Sequence, residues 1–176
     1  MATESELKRL SENGKQAFEA GEYESAADLF ENAAQGYAAI HDPLNAAELK
    51  NNESVALLKM GKAQEALDKV LGTGEIFAQA RDFKRQGMAV GNQAAALEAL
   101  KHYDEAFTAY EQSAELFAEA GEGDLRSMVL KAAAGINLKR GKVTESAFKM
   151  IGSLDAKDKP SLFDRILRYI LHFIQR

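Results

Sequence analysis

The chain has 176 residues, 46% of them apolar and 28% charged, with two prolines, no cysteine and a formal net charge of −5. That length and apolar share suffice to bury one continuous core, so a single domain over 1–176 is expected. Without cysteine there is no disulfide framework, thiolate metal site or thiol nucleophile, and a net acidic chain lacks the basic face that phosphate neutralisation needs, which argues against a nucleic-acid partner.

The N-terminal residues Met1 to Glu6 hold no basic segment followed by an apolar one, and no apolar run approaches the roughly 18 residues that a membrane span needs. Neither secretion nor a membrane span is expected, and a cytoplasmic location is. Thr3 and Glu6 have capping-box spacing, opening a first helix over 4–20. A second is expected over 23–40. Asp42 before Pro43 offers an acceptor for free amides and then a residue of fixed φ, which starts a third over 43–60. A fourth spans 63–81, interrupted by Gly72 and Gly74 at about 1 kcal/mol each relative to alanine, so a kink or break is expected there, read as close helix contact. Further helices follow over 83–100, 103–120, 124–139 and 143–153. Ser161 and Asp164 again have capping-box spacing and open a last helix over 161–175. No segment of β-branched residues alternates with period two, so no strand is expected.

The segments around Gly21, Gly61 and Gly141 superpose at a period of 40 or its multiple, with Lys101 in the remaining slot. Five residues later stand Ala26, Ala66, Ala106 and Ser146, and four further on Phe30, Val70, Tyr110 and Met150. A small residue at a fixed place in every second helix permits close approach, and the large residue a turn later fills the space beside it. Each unit reads as two antiparallel helices joined at the glycine, and stacked units build the core.

The stretches GEYESAADLFENA (Gly21 to Ala33) and KHYDEAFTAYEQSA (Lys101 to Ala114) resemble the second-helix signature of tetratricopeptide repeats (TPRs), with Gly14 as the matching small residue of a first helix. The resemblance covers roughly 4–158. It is specific in the first and third units and looser in the second and fourth, where Ala63 and Val143 stand in place of Tyr23 and Tyr103. The period of 40 exceeds the usual 34 of the family, as in the long units of kinesin light chains and SNAP adaptors, and Leu49 to Ala66 is similar to the kinesin light chain pattern. The resemblance implies an all-α, right-handed solenoid of about four helix hairpins (about 4–42, 43–82, 83–122 and 123–158) with a C-terminal capping amphipathic helix over 161–176.

In such a solenoid the first helix of each pair lines the concave side. The inward residues by resemblance are Lys8, Ser11, Lys15 and Phe18, then Glu48, Asn51, Asn52, Val55 and Lys59. The third unit adds Met88, Gly91, Asn92, Ala95 and Glu98, and the fourth Met128, Lys131, Gly135, Leu138 and Lys139. Methionine suits adaptable binding surfaces, and Gly91, Ala95 and Gly135 leave room for a bulky guest, so a helical or extended segment of a partner protein is the expected ligand. Lys15, Lys59, Lys131 and Lys139 would form a basic rim. Asn52 and Asn92 would bond a guest backbone, or else neighbouring helices. The carboxylate clamp of TPR co-chaperones is not expected, because the places of its lysine–asparagine pair in the first unit are held by Ser11 and Lys15 and those of its two basic residues in the third by Gly91 and Ala95, with only Asn52 remaining.

Residues 161–176 form a strongly amphipathic stretch. Ser161, Asp164, Arg165, Arg168, His172, Gln175 and Arg176 fall within an arc of about 120°, and Leu162, Phe163, Ile166, Leu167, Tyr169, Ile170, Leu171, Phe173 and Ile174 in a separate arc of about 200°. Capping the last hairpin needs an arc of only about 100°, and leaving four large side chains in water forgoes roughly 6–12 kcal/mol. The surplus, centred on Phe163, Ile166, Leu167, Ile170, Phe173 and Ile174, is expected to meet a second copy of the chain, the concave groove, or an anionic membrane surface.

Catalysis is not expected, nor is a cofactor or metal. His41, His102 and His172 do not converge, no phosphate-loop, zincin or nucleophile-elbow motif occurs, and clustered acids such as Glu22, Glu24 and Asp28 read as a solvated helix face. The alternative to groove binding is an assembly or membrane-surface adaptor acting through the C-terminal helix.

Overall fold

The computed structural model describes residues 2–161, 164, 165, 167 and 168. Among these, nine helices and no strand are present: α1 (Glu4–Glu19), α2 (Tyr23–Ala39), α3 (Pro43–Lys59), α4 (Ala63–Val70), α5 (Thr73–Gln79), α6 (Phe83–Ala99), α7 (Tyr103–Glu119), α8 (Gly123–Lys139) and α9 (Val143–Asp155). The expected fourth helix is two. Leu71 leaves the helical region at ψ 133° and Gly72 takes φ 80°, so the chain breaks at Gly72 and restarts as α5, with Gly74 inside it. Gly72 serves the left-handed backbone and not the expected close helix contact, since nothing lies within 4 Å of where its Cβ would stand. Asp164, Arg165, Leu167 and Arg168 are helical; the rest of the expected last helix lies outside the described residues.

Turns recur at half the period read from the glycines. Residues 21, 41, 61, 81, 101, 121 and 141 all take left-handed backbone. At each, two backbone bonds close the preceding helix: Gly21 N–H donates to Phe18 and Glu22 N–H to Ala17, and the same pair recurs through Gly141 to Leu138 and Lys142 to Asn137. This is the Schellman closure, in which a left-handed residue satisfies carbonyls that the helix cannot. Glycine fills four of these places, while His41, Arg81 and Lys101 adopt the conformation at φ 59°, 55° and 64°. The equal spacing gives the uninterrupted helices α1–α3 and α6–α8 nearly the same length, so that one hairpin stacks on the next in register.

Helix starts follow their capping chemistry. Thr3 Oγ1 accepts the Glu6 N–H at 3.3 Å while the Glu6 carboxylate accepts the Thr3 N–H at 2.7 Å. Asp42 and Asp82 accept the N–H groups of Asn45 and Arg85 at 3.1 and 2.9 Å. Asp164 N–H donates to Ser161 Oγ at 3.2 Å, and the Asp164 carboxylate accepts the Ser161 N–H at 2.9 Å.

Packing runs from each helix to its neighbours in sequence, through α1·α2, α2·α3, α3·α4, α6·α7, α7·α8 and α8·α9. Ala26, Ala66 and Ala106 are fully buried, with Phe30, Val70 and Tyr110 buried a turn later, so the small-then-large columns are where helices cross. The core divides at the Gly72 break. One cluster joins α1–α4 around Leu7, Phe30, Tyr37 and Leu57, another joins α6–α8 around Tyr110, Phe117, Leu130 and Ile136, and a small third of Ala47, Phe77 and Ala89 bridges them. Second helices of successive units are tied by repeating ion pairs, Lys69 to Glu31 at 2.8 Å and, two units on, Lys149 to Glu111. Among the described residues no ion pair joins α5 to α7. The break leaves a polar cleft of about 390 Å³ there, lined in part by Gln86, Gln93 and Gln112.

Candidate binding face

The first helices α1, α3, α6 and α8 share one face of the stack, and their small residues decide its relief. Between α6 and α8 lies an apolar slot of about 290 Å³. Met88, Ala95, Met128 and Ala132 form its walls, and Tyr110 and Phe117 of α7 form the floor. Gly91 also lines it, and a Cβ there would stand 3.1 Å from Ser113 Oγ, so this glycine lets α6 approach α7 closely. Met88 and Met128 are 44% and 59% exposed: two large flexible apolar side chains stand in water at the slot's mouth. Tyr110 Oη donates to the Glu98 carboxylate at 2.9 Å, and burial, with that carboxylate beside it, pushes the phenol well above its ordinary value. Lys139 donates to the other Glu98 oxygen at 2.7 Å, which raises the ammonium's pKa through that bond.

A second slot, of about 210 Å³, lies between α1 and α3 and is lined by Lys15, Phe18, Glu19, Phe30, Asn52 and Val55. Three of its six members are repeat counterparts of residues lining the first: Phe30 and Tyr110, Lys15 and Ala95, and Asn52 and Ala132 each stand two units apart.

Between the slots the face is closed. Asn51 is buried, its amide donating to the Ala47 carbonyl at 2.9 Å and Thr73 Oγ1 at 3.1 Å, and its side-chain oxygen accepts from the Asn92 amide at 3.4 Å. Arg85 reaches Glu48 at 3.2 Å above the Phe77 ring. The structure thus places Asn51 beneath the face and engages Asn92 with it, while Asn92 also lines the α6–α8 slot and Asn52, the neighbour of Asn51, lines the α1–α3 slot. Among the other expected contacts, Lys15, Val55, Met88, Ala95 and Met128 line slots, and Lys59 and Lys131 lie on the same helices without an ion-pair partner among the described residues. Gly135 has open space above it, and Lys139 is held by Glu98. The sequence pattern reads Phe30 and Tyr110 as space-filling residues of the core and does not mark Phe117 at all, yet all three line the slots. Small Gly91 and Ala95, which line the same slot as the two aromatic residues of α7, are the signal that could have found them.

Leu167 is half-buried, and the start of the C-terminal segment is fastened to the last hairpin by Lys157 to Asp164 at 2.6 Å and Arg168 to Asp155 at 2.8 Å. The bond from Lys157 and those from Ser161 hold the Asp164 carboxyl far below its ordinary value. Phe163, Ile166, Ile170, Phe173 and Ile174 lie outside the described residues. No helix among the described residues is long and apolar enough to cross a membrane.

Solved structures give the arrangement its place. A crystal structure of a Podosopora anserina protein assigned as a kinesin light chain, with nearly identical TPR-like repeats, matches with a TM-score of 0.57 over 99% of this chain and 97% of that one, at 16% identity. A form of the same protein with one residue substituted matches equally. This chain is a TPR-like α-solenoid. No protein-family model matches the sequence, and no curated protein does.

Proposed function

We propose that this protein is a non-catalytic scaffold that holds a segment of a partner protein against its first-helix face. In TPR-like solenoids the first helices line the concave side, and on that reading the two slots and the polar bridge between them lie along the groove. The observation that carries the proposal is the slot between α6 and α8, where Met88 and Met128 remain 44% and 59% exposed over an apolar floor. A protein that keeps two large apolar side chains about half in water beside an open cavity forgoes on the order of 1 kcal/mol per side chain until something covers them. Methionine fits such a role because its unbranched thioether repacks around different guests. The fold supports the same reading, since a stack of hairpins presents an extended surface rather than a closed pocket.

The test is capture of partner protein by cross-linking in the source cell, comparing wild type with Met88→Glu/Met128→Glu and with Ile166→Lys/Ile170→Lys. Loss in the first variant with retention in the second supports the groove. The reverse pattern, with both variants folded by circular dichroism, rejects it in favour of the C-terminal helix.

A further inference from the structure

The two slots stand at corresponding places two units apart, sharing three lining columns, and their spacing defines what fits both. Packed helices stand roughly 10 Å apart, so the slot at Phe30 and the slot at Tyr110 lie on the order of 20 Å from one another along the stack. A helix rises 1.5 Å per residue, which makes that distance about 14 residues, and side chains at i and i+14 share a face to within about 40°. An extended strand would cover the span in about 6 residues but would bring a row of backbone amides over a face with few free partners. Asn51 is spent on Ala47 and Thr73 and accepts from Asn92, and Glu48 pairs with Arg85, which leaves Asn52 and the Asn92 side-chain oxygen as the asparagine groups open to a guest. A helix satisfies its own backbone and demands none.

Charge points the same way. Apart from Lys59, which has no ion-pair partner among the described residues, several charged groups on this face are neutralised, Lys8 by Glu4, Arg85 by Glu48 and Lys139 by Glu98. Lys15 is not. It lines the slot between α1 and α3 together with Glu19, but it makes no ion pair among the described residues. Lys131, one turn beyond Met128, has no ion-pair partner among the described residues either. Each apolar slot is therefore accompanied by a lysine able to receive a carboxylate.

We propose, on the basis of the groove reading above, that the partner is an amphipathic helix with two large apolar side chains about 14 residues apart, one for each slot, and acidic residues beside them. The stretch between the anchors passes over the Asn51–Asn92 bridge and is small or polar.

The test uses the full chain and four capped peptides, slightly longer than that span, on an alanine–glutamine helical background. One has phenylalanines at i and i+14 flanked by glutamates; the others have phenylalanines at i and i+7, a single phenylalanine, or lysines for the glutamates. Fluorescence anisotropy should show the first binding at least tenfold tighter than the shorter-spaced and single-anchor peptides and at least fivefold tighter than the lysine version. Val55→Glu and Met128→Glu should each reduce it to single-anchor affinity. Methyl spectra of the unmutated protein should shift at Val55, Met88 and Met128 together, a readout that needs no variant. Equal affinity at both spacings, shifts at one slot only, or preference for the lysine peptide overturns the two-anchor partner. The groove reading survives those outcomes if Met88→Glu/Met128→Glu still abolishes binding. If none of the peptides binds saturably, both fall.

Discussion

Ser54 and Ser146 make the same bond from opposite sides of the hairpin. Ser54, on α3, donates its hydroxyl to the Ala66 carbonyl of α4 at 2.8 Å, and Ser146, on α9, donates to the Ala134 carbonyl of α8 at 2.8 Å. The positions 14 and 26, 54 and 66, 94 and 106, and 134 and 146 are one repeating crossing point, filled by glycine with alanine, serine with alanine, alanine with alanine, and alanine with serine. The crossing admits only small residues, and a serine there fastens the two helices with a buried bond. Ser54→Ala should cost about 1 kcal/mol in urea titrations, while Ser54→Val should cost about 1–3 kcal/mol, because the added methyl groups have no space.

The same crossing in the first unit depends on Gly14, where a Cβ would lie 2.7 Å from the buried Phe30 ring. Gly14→Ala should lower stability by about 1–2 kcal/mol, overpacking outweighing the gain in helix propensity. Gly135→Ala, with nothing within 4 Å of the new atom, should raise it by up to about 1 kcal/mol. Thermal midpoints of the two variants should move in opposite directions.

Glu53, with a side chain only 5% exposed, meets the Lys69 ammonium at 2.6 Å, and Lys69 also reaches Glu31. Burial pushes the Glu53 carboxyl above its ordinary value of 4.5, and the Lys69 bond opposes this in part. Lys69→Met should cost about 2–3 kcal/mol at neutral pH, somewhat less than a fully enclosed pair because Lys69 is a third exposed, whereas Glu53→Gln should stay within about 1 kcal/mol of wild type. A carboxyl with a raised folded pKa carries its burial penalty above that pKa and loses it as pH falls towards the unfolded value. The Lys69→Met deficit should therefore shrink as pH falls from neutral towards the ordinary carboxyl value, as measured by urea midpoints across that range.

Lys101 holds φ 64° at a turn where Gly21, Gly61 and Gly141 stand in the other units. A β-carbon in that conformation costs roughly 1 kcal/mol, so Lys101→Gly should stabilise the chain by about 1 kcal/mol or slightly less, and Gly61→Ala should destabilise it by a similar amount. A Lys101→Gly variant that melts lower than wild type would contradict the account.

Asn137 is fully buried on α8, and neither atom of its amide finds a partner among the described residues. One and two units earlier the column holds Leu97 and Leu57, both buried. Asn137→Leu should raise stability by about 1–3 kcal/mol by removing an unpaired polar group. Chemical denaturation of the single variant decides it.

Much of the architecture is legible in the chain itself. The recurrence of Gly21, Gly61 and Gly141 marks turns because only a few residue types tolerate left-handed backbone, Lys101 is placed at a turn by their register alone, and Ala26, Ala66 and Ala106 mark crossings because only small side chains let helices approach. Capping pairs such as Thr3 with Glu6 act within a single turn, so they too can be read locally. The turns at His41 and Arg81 are not legible as left-handed, since ordinary side chains occupy them and the closure is imposed by the hairpins on either side. Sequence periodicity also puts Asn51 and Asn92 on the inward face together. It does not reveal that Asn51 turns down onto Ala47 and Thr73 and draws Asn92 to it, closing the face between two open slots. A column in sequence fixes which helix face a residue occupies. Whether that residue meets solvent or a neighbour depends on how closely the next helix stands, and that distance is set by side chains a whole helix or a whole unit away along the chain.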